Sequence, residues 1–226
     1  MTVVRDAATV IVLRDRAHSP KVLMGRRGSK AAFMPDKMVF PGGAVDPGDA
    51  EVPLRGLPER ICLERLAEGC DPTISGALAA AAVRELWEET GLILGTPGDW
   101  PDAPPDWARF AATGHRPSAS GMRFVFRAIT PPGRTRRFDA RFFLLDAEQL
   151  SSDPDDFTHA EDELSALSWV PLDETEKLDL PFITEVVLAE VASRIDDPAP
   201  PPSVPFFRNS DEESHFLRLG RRGPLP

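Results

Sequence analysis

The segment SGALAAAAVRELWEETG constrains the fold of this chain more than any other stretch. Ser75 can cap its first turn, an alanine run of high helix propensity follows, and Gly91 can end it, so the segment predicts a helix over 75–91. Positions i, i+3 and i+4 are neighbours on a helix. One face therefore collects three carboxylates, Glu85, Glu88 and Glu89. The opposite face is apolar and predicts packing against a sheet.

The acidic face has two explanations. Like charges at these spacings oppose each other by only about 0.2–0.5 kcal/mol per pair, so a solvated acidic surface with Arg84 as a partner of Glu88 is one. A binding site for a hard divalent cation is the other, because Mg²⁺ and Mn²⁺ prefer oxygen ligands. The helix alone leaves both explanations open.

The rest of the chain supplies the layers against which this helix can pack. Short apolar runs predict strands at 7–14, 21–27, 38–40, 122–130, 136–146 and 164–172. Helical spacing predicts two further helices, at 58–69 and 179–195. Strands interleaved with helices at these separations predict an α/β sandwich.

The carboxyl-terminal part differs in composition from what precedes it. Residues 196–205, DDPAPPPSVP, predict a stiff extended connector rather than regular structure. The tail that follows contains enough aromatic residues to dock on the body of the protein. We therefore expect one domain over 1–195 and a connector with a tail over 196–226.

Composition narrows the classes of partner and location. The 226 residues carry a net charge of −10, which argues against nucleic acid or an anionic membrane as the main partner. The two cysteines, Cys62 and Cys70, provide no disulfide framework. No signal-peptide pattern and no long apolar segment is visible in the sequence, so a cytoplasmic protein without membrane contact is expected.

A glycine turn upstream completes the pattern that the helix begins. The stretch GAVDPGD at 43–49, followed by RELWEETGL at 84–92, resembles the Nudix box, Gly-x5-Glu-x7-Arg-Glu-U-x-Glu-Glu-x-Gly-U, where U is aliphatic. Gly43 matches the first glycine. The second half matches at every specified position, namely Arg84, Glu85, Leu86, Glu88, Glu89, Gly91 and Leu92.

Two departures from this pattern concern its first half. Asp49 stands where the family has glutamate, and 34 residues (50–83) fill a spacer that is normally seven long. A lengthened box resembles the branch of peroxisomal coenzyme A diphosphatases and their bacterial relatives. However, the arginine and glycine that the coenzyme A motif of better-known Nudix diphosphatases requires are Ala32 and Asp36 here.

The resemblance implies a fold and a metal site. The fold would be a Nudix α/β/α sandwich with a mixed β-sheet and a helical insert, at about 50–76, within the box. The metal ligands for Mg²⁺ or Mn²⁺ would be Glu85, Glu88 and Glu89, with the Gly43 carbonyl. Arg84 and Asp49 would form a buried pair that orients Glu85, although Asp49 can also be a plain turn residue.

The general base and the substrate contacts are less tightly specified. In the family the base is often a glutamate outside the box, and Glu161 and Glu163 both precede the predicted strand at 164–172. Arg137 and Arg141 alternate along one face of another predicted strand and could bind phosphate through their planar forks. An exposed strand face without a ligand is the alternative.

The resemblance also implies an activity. A divalent-metal-dependent pyrophosphohydrolase would cleave a nucleoside diphosphate linked to another group, with coenzyme A or acyl-coenzyme A as the leading substrate. ADP-ribose or a dinucleotide is the alternative within the class, and a non-catalytic nucleotide-binding domain is the alternative outside it. A homodimer formed through the tail is left open.

Overall fold

The computed structural model describes residues 2–29, 31–210 and 213–220. Within them nine strands form one mixed sheet in the order β11-β10-β7-β8-β1-β2-β3, while β4 pairs with β1 and β9 pairs with β2. The strands of this sheet are β1 (Val4–Arg14), β2 (Lys21–Arg27), β3 (Met38–Val39), β4 (Gly42–Ala44), β7 (Arg123–Ile129), β8 (Arg137–Asp146), β9 (Leu164–Pro171), β10 (Val204–Asn209) and β11 (Ser214–Leu219).

Helices cover both faces of this sheet. The helices are α1 (Arg60–Leu66), α2 (Ile74–Thr90), α3 (Ala108–Ala111) and α4 (Phe182–Ser193), and a small second sheet joins β5 (Gly95–Pro97) to β6 (His115–Pro117). One apolar core lies between the sheet and α1 with α2, and a second lies between the sheet and α4. The predicted α/β sandwich with a mixed sheet is confirmed.

The alanine run of α2 explains how closely this helix approaches the sheet. Residues 79–83 are fully buried, and α2 crosses β1 and β4. Small side chains let a helix backbone lie close to strands, so the box residues at its carboxyl-terminal end are held at a fixed height above β4. Gly91 ends the helix with a φ of 74°, a left-handed conformation that glycine adopts without strain.

The strand β4 was not predicted from the sequence. Its residues, Gly42, Gly43 and Ala44, have no intrinsic preference for a strand. They pair with Thr9, Ala8 and Ala7 of β1, so the pairing partner imposes the extended conformation. The consequence is that the backbone of Gly43 lies in the sheet directly beneath α2.

The insert is part of the core rather than a surface loop. Cys62 and Leu66 of α1 are 0% and 1% exposed. Arg65 of the same helix is also buried and donates hydrogen bonds to the carbonyls of Pro201 and Pro202. A loop can absorb extra residues at little entropic cost, but here the extra residues also hold the connector.

The connector and the tail complete the sheet. Proline carbonyls can accept hydrogen bonds although proline cannot donate them, and Arg123 donates to Pro198 at 2.6 Å. Beyond the connector, β10 pairs in parallel with β7, and β11 pairs antiparallel with β10. The expectation that the tail docks on the body is confirmed for its described residues, and residues 221–226 lie outside them. The chain beyond 195 therefore shares the core of the domain.

Candidate active site

The two halves of the box meet at one arginine. The Arg84 guanidinium binds both carboxylate oxygens of Asp49, at 3.0 and 2.9 Å, and donates to the Ala44 carbonyl at 3.0 Å. It also contacts Glu85 at 2.8 Å and Glu88 at 3.1 Å. Burial opposes the charge, but the bond to Asp49 and the nearby carboxylates outweigh it and raise the pKa of Arg84. The insert thus separates the halves in sequence only.

Asp49 is held for this contact by the turn in which it lies. Residues Pro47–Glu51 form a short 3-10 helix, and Asp49 accepts a hydrogen bond from the Asp46 amide at 2.8 Å. The side chain of Asp49 is 2% exposed, whereas that of Asp46 is 58% exposed. An aspartate can fill the place of the usual glutamate because its turn carries it to the arginine. The predicted Arg84–Asp49 pair is present in the structure.

Glu85 lies against the backbone of Gly43. A Cβ at position 43 would overlap the Glu85 carboxylate, so a larger residue there would displace this carboxylate from the Gly43 backbone. Burial raises the pKa of Glu85 to about 7 despite Arg84, and the charges of Glu88 and Glu163 add to this shift. The Glu85 carboxylate therefore lies directly against the Gly43 backbone, where the glycine leaves room for it.

Glu89 is the most deeply buried of the three box glutamates. It is 1% exposed, and one of its oxygens accepts a hydrogen bond from the Gly42 amide at 2.7 Å. Its other oxygen has no hydrogen-bond partner among the described residues. Burial, followed by the charge of Glu85, raises the pKa of Glu89 well above its usual range. A buried carboxylate oxygen without a donor is costly alone and suits a cation.

The carboxylates are neighbours but do not form a ready cage. In the described part of the chain, no three acidic, histidine or cysteine side chains are arranged to hold a metal ion. Arg84 explains this, because it draws Glu85 and Glu88 toward itself. Even so, the unpaired oxygen of Glu89 fits a divalent cation, and rotation of Glu85 and Glu88 away from Arg84 would complete its ligands.

Both candidate bases lie beside the box. The Glu161 amide donates to the Glu88 carbonyl at 2.7 Å, and the Glu161 side chain contacts Arg109. The Glu163 side chain contacts Arg27 of β2. The negative charge of Glu163 acts on Glu85 and Glu89, whereas that of Glu161 acts on Glu88. Glu163 therefore lies within electrostatic reach of Glu85 and Glu89, the two most buried glutamates of the box.

Two arginines at the site were missed in the sequence. Arg27 ends β2 and contacts Glu163, and its charge acts on Glu89. Arg109 of α3 contacts Glu161. The adjacent pair Arg26–Arg27 at the end of a predicted strand was a usable signal for the first. The second depends on a long-range approach of α3 that no local pattern reveals.

The two arginines predicted to bind substrate do not join the box carboxylates. Arg141 is 0% exposed and pairs with Asp6 and Asp139, so it cannot reach a ligand and its assignment was wrong. Arg137 is buried and donates to the carbonyls of Thr130 and Asn209. The alternative of an exposed strand face was also wrong, because Arg137, Asp139 and Arg141 are all buried.

Comparison with known proteins places the chain in a family. The NUDIX domain model matches residues 73–191. A curated Caenorhabditis elegans relative designated nudix hydrolase 7 is 31% identical over 179 residues, covering 74% of this chain and 51% of the relative. This chain therefore spans about half of that protein.

A solved structure supports the same placement over nearly its whole length. The crystal structure of a NUDIX hydrolase from Alicyclobacillus acidocaldarius is 31% identical and has a TM-score of 0.64, covering 87% of this chain and 97% of that one. The chain belongs to the Nudix family.

Among the described residues, no helix is both long and apolar enough to cross a bilayer.

Proposed function

We propose that this protein is a divalent-metal-dependent diphosphatase that hydrolyses a nucleoside diphosphate linked to another group, with coenzyme A or acyl-coenzyme A as its substrate. The observation that carries the proposal is the Arg84–Asp49 contact, which joins the halves of the box across the insert. A binding domain without chemistry has no need of a buried, self-repelling carboxylate such as Glu89.

The residues that would hold Mg²⁺ or Mn²⁺ are Glu85, Glu88, Glu89 and the Gly43 carbonyl. A divalent ion there would neutralise diphosphate charge and acidify a bound water. Arg84 restrains Glu85 through a hydrogen bond of 2.8 Å and is itself held by Asp49. Arg84 and Asp49 thus fix the orientation of the Glu85 carboxylate and would not bind the metal themselves.

Arg27 is the cation that we assign to the substrate phosphates. Its charge acts on Glu89, so it lies close to the box, and its side chain is 19% exposed. A planar guanidinium can bind two phosphate oxygens at once. Arg27 contacts Glu163 in this structure, and a phosphate contact would replace this pairing when a substrate binds.

Glu163 is the general base that the geometry favours over Glu161. A base must lie near the water that attacks the diphosphate, and the charge of Glu163 acts on Glu85 and Glu89, whereas that of Glu161 acts on Glu88. We expect Glu163→Gln to lower kcat by about 100-fold and to remove the acidic limb of the pH–rate profile. Glu161→Gln is the matched control, with the same chemical change two residues away, and should leave that limb in place.

If Glu161→Gln removes the acidic limb and Glu163→Gln does not, the two assignments are reversed. Equal, small effects of both variants would show that the base is one of the box carboxylates.

The proposed function is tested by substrate. The purified protein, supplied with Mg²⁺ or Mn²⁺, should convert coenzyme A to phosphopantetheine and adenosine 3′,5′-bisphosphate. Faster cleavage of ADP-ribose or a dinucleotide than of coenzyme A would identify that compound as the substrate and leave the reaction class unchanged. Binding of any of these without turnover, at either metal, would support the non-catalytic alternative.

Two further expectations concern the setting of the protein. A cytoplasmic location stays a prediction. A homodimer through the edge strand β11 also stays a prediction, and light scattering on the eluting protein would check it.

A further inference from the structure

A cavity lies away from the box carboxylates. Its volume is about 630 Å³, within the usual range for small-molecule sites. It opens between the residues that follow α1 and the β10–β11 hairpin, above the first residues of β1 and β8. No box residue is among the described residues that line it. The insert and the tail, which lie outside the box pattern, thus build a cavity of their own.

One wall of this cavity is apolar. Phe206, Leu217 and Leu219 of the hairpin line it, and Phe206 and Leu217 are direct partners across the two strands. Such a wall can bury the flat or aliphatic part of a ligand, since burial contributes roughly 25 cal/mol per Å².

The facing side carries arginines. Arg127 binds Asp139 through two hydrogen bonds of 2.9 and 2.7 Å and lies 4.4 Å from the ring centre of Phe206. It also donates to the Glu68 carbonyl at 2.8 Å. A guanidinium has five N–H donors, so three are engaged and two are left. Because the group is already held in place, little side-chain entropy is lost when it binds a ligand.

The other charged residues that line the cavity differ in whether their side chains are already paired. Asp6 and Asp139 line it but are paired with Arg141 and Arg127. Glu68 is the third acid in the lining. Arg208 is exposed at the rim, and its side chain makes no hydrogen bond or ion pair with any described residue. Arg137 also lines the cavity and donates to the Thr130 carbonyl at 3.0 Å. Arg208 thus faces solvent beside an apolar wall, whereas Arg127 and Arg137 are buried.

We propose that this cavity binds a phosphomonoester with a flat or apolar substituent, such as a nucleoside monophosphate. The phosphate engages Arg208 and the remaining donors of Arg127, because a dianion can satisfy two guanidinium groups. The substituent packs on Phe206 and Leu217. The site is independent of the diphosphatase chemistry, so its occupation requires neither a metal nor turnover.

The experiment is calorimetric titration of the full chain in EDTA with adenosine 5′-monophosphate, inorganic phosphate and adenosine. We expect the monophosphate to bind and each fragment to bind at least about tenfold more weakly. Arg208→Glu should weaken binding by about tenfold or more, and Leu217→Trp, which fills the cavity, should abolish it.

The matched control is Arg218→Glu. Arg218 is exposed on β11, lies outside the cavity lining, and donates only to Ser203 at 3.3 Å among the described residues, so the variant makes the same charge change without touching the site. Its binding should equal that of the unmodified chain. Thermal melts of every variant separate loss of the site from loss of the fold.

Four results would overturn the proposal. The first is no heat of binding at about 1 mM nucleotide. The second is an equal effect of Arg208→Glu and Arg218→Glu, which indicates only a general charge effect. The third is binding that survives Leu217→Trp but is lost in Glu89→Gln, because the nucleotide then lies at the box. The fourth is inorganic phosphate binding as tightly as the monophosphate, because the apolar wall then contributes nothing.

Discussion

Glu89→Gln is expected to lower kcat by about three powers of ten, roughly 4 kcal/mol, while the protein stays folded. Glutamine keeps the shape of the side chain and can still accept the hydrogen bond from Gly42. What it removes is the buried charge whose second oxygen has no donor. The activity is lost because the negative charge that develops in the transition state is less well neutralised. This neutralisation is the dominant contribution expected for diphosphate cleavage. Steady-state kinetics on the best substrate measure it.

The same substitution should leave the stability of the fold unchanged or raise it, although it lowers kcat. In EDTA at pH 8 the variant should unfold at the same or a higher temperature, because an uncompensated buried charge has been removed. With manganese at about 100 times Kd, the unmodified protein should gain roughly 2.7 kcal/mol that the variant does not. Full activity in the variant would contradict the assignment of Glu89 as a metal ligand.

The pH dependence of this stability difference follows from the raised pKa of Glu89. Burial, and then the charge of Glu85, make the folded state bind a proton more readily than the unfolded chain. Stability from this group is therefore present at low pH and is lost as pH rises through the folded pKa. The difference between variant and unmodified protein should shrink as the pH of the EDTA buffer falls from 8 to about 5.

Much of the site was predictable because its pattern is local. The glutamates at 85, 88 and 89 lie within one turn of helix, where spacing alone determines which residues share a face. The Arg84–Asp49 contact is long-range, but the turn at 47–51 and the helix each form from local rules, and the sheet then brings them together.

The missed features have a common physical origin in tertiary pairing. The strand β4 forms because β1 is available beside it, and its glycines would otherwise form a turn. Arg141 resembles a phosphate ligand in the sequence, but β1 and β8 pair in parallel so that Asp6 and Asp139 lie next to each other and beside it. No local pattern specifies that register. The tail strands likewise depend on the free edge of β7.

Asp49→Asn is expected to cost about 3–5 kcal/mol of unfolding free energy as well as activity. The reason is that the Arg84 side chain is only 8% exposed and donates hydrogen bonds to both carboxylate oxygens of Asp49. Removal of that charge leaves a buried guanidinium that the remaining box acids must compensate. They can do so only by holding Glu85 and Glu88 closer to Arg84, away from a metal. Urea unfolding and kcat should therefore both report the change.

The matched control is Asp46→Asn in the same turn. Asp46 lies 3.7 Å from Arg84 but is 58% exposed, so water screens it and the variant should cost no more than about 1 kcal/mol. Metal affinity distinguishes the two further, because Asp49→Asn should weaken manganese binding through Glu85 whereas Asp46→Asn should not. Equal effects of the two substitutions would mean that Asp49 acts only as a turn residue. In that case the acid that orients the metal-binding carboxylates lies elsewhere, and the first half of the box contributes its glycine alone.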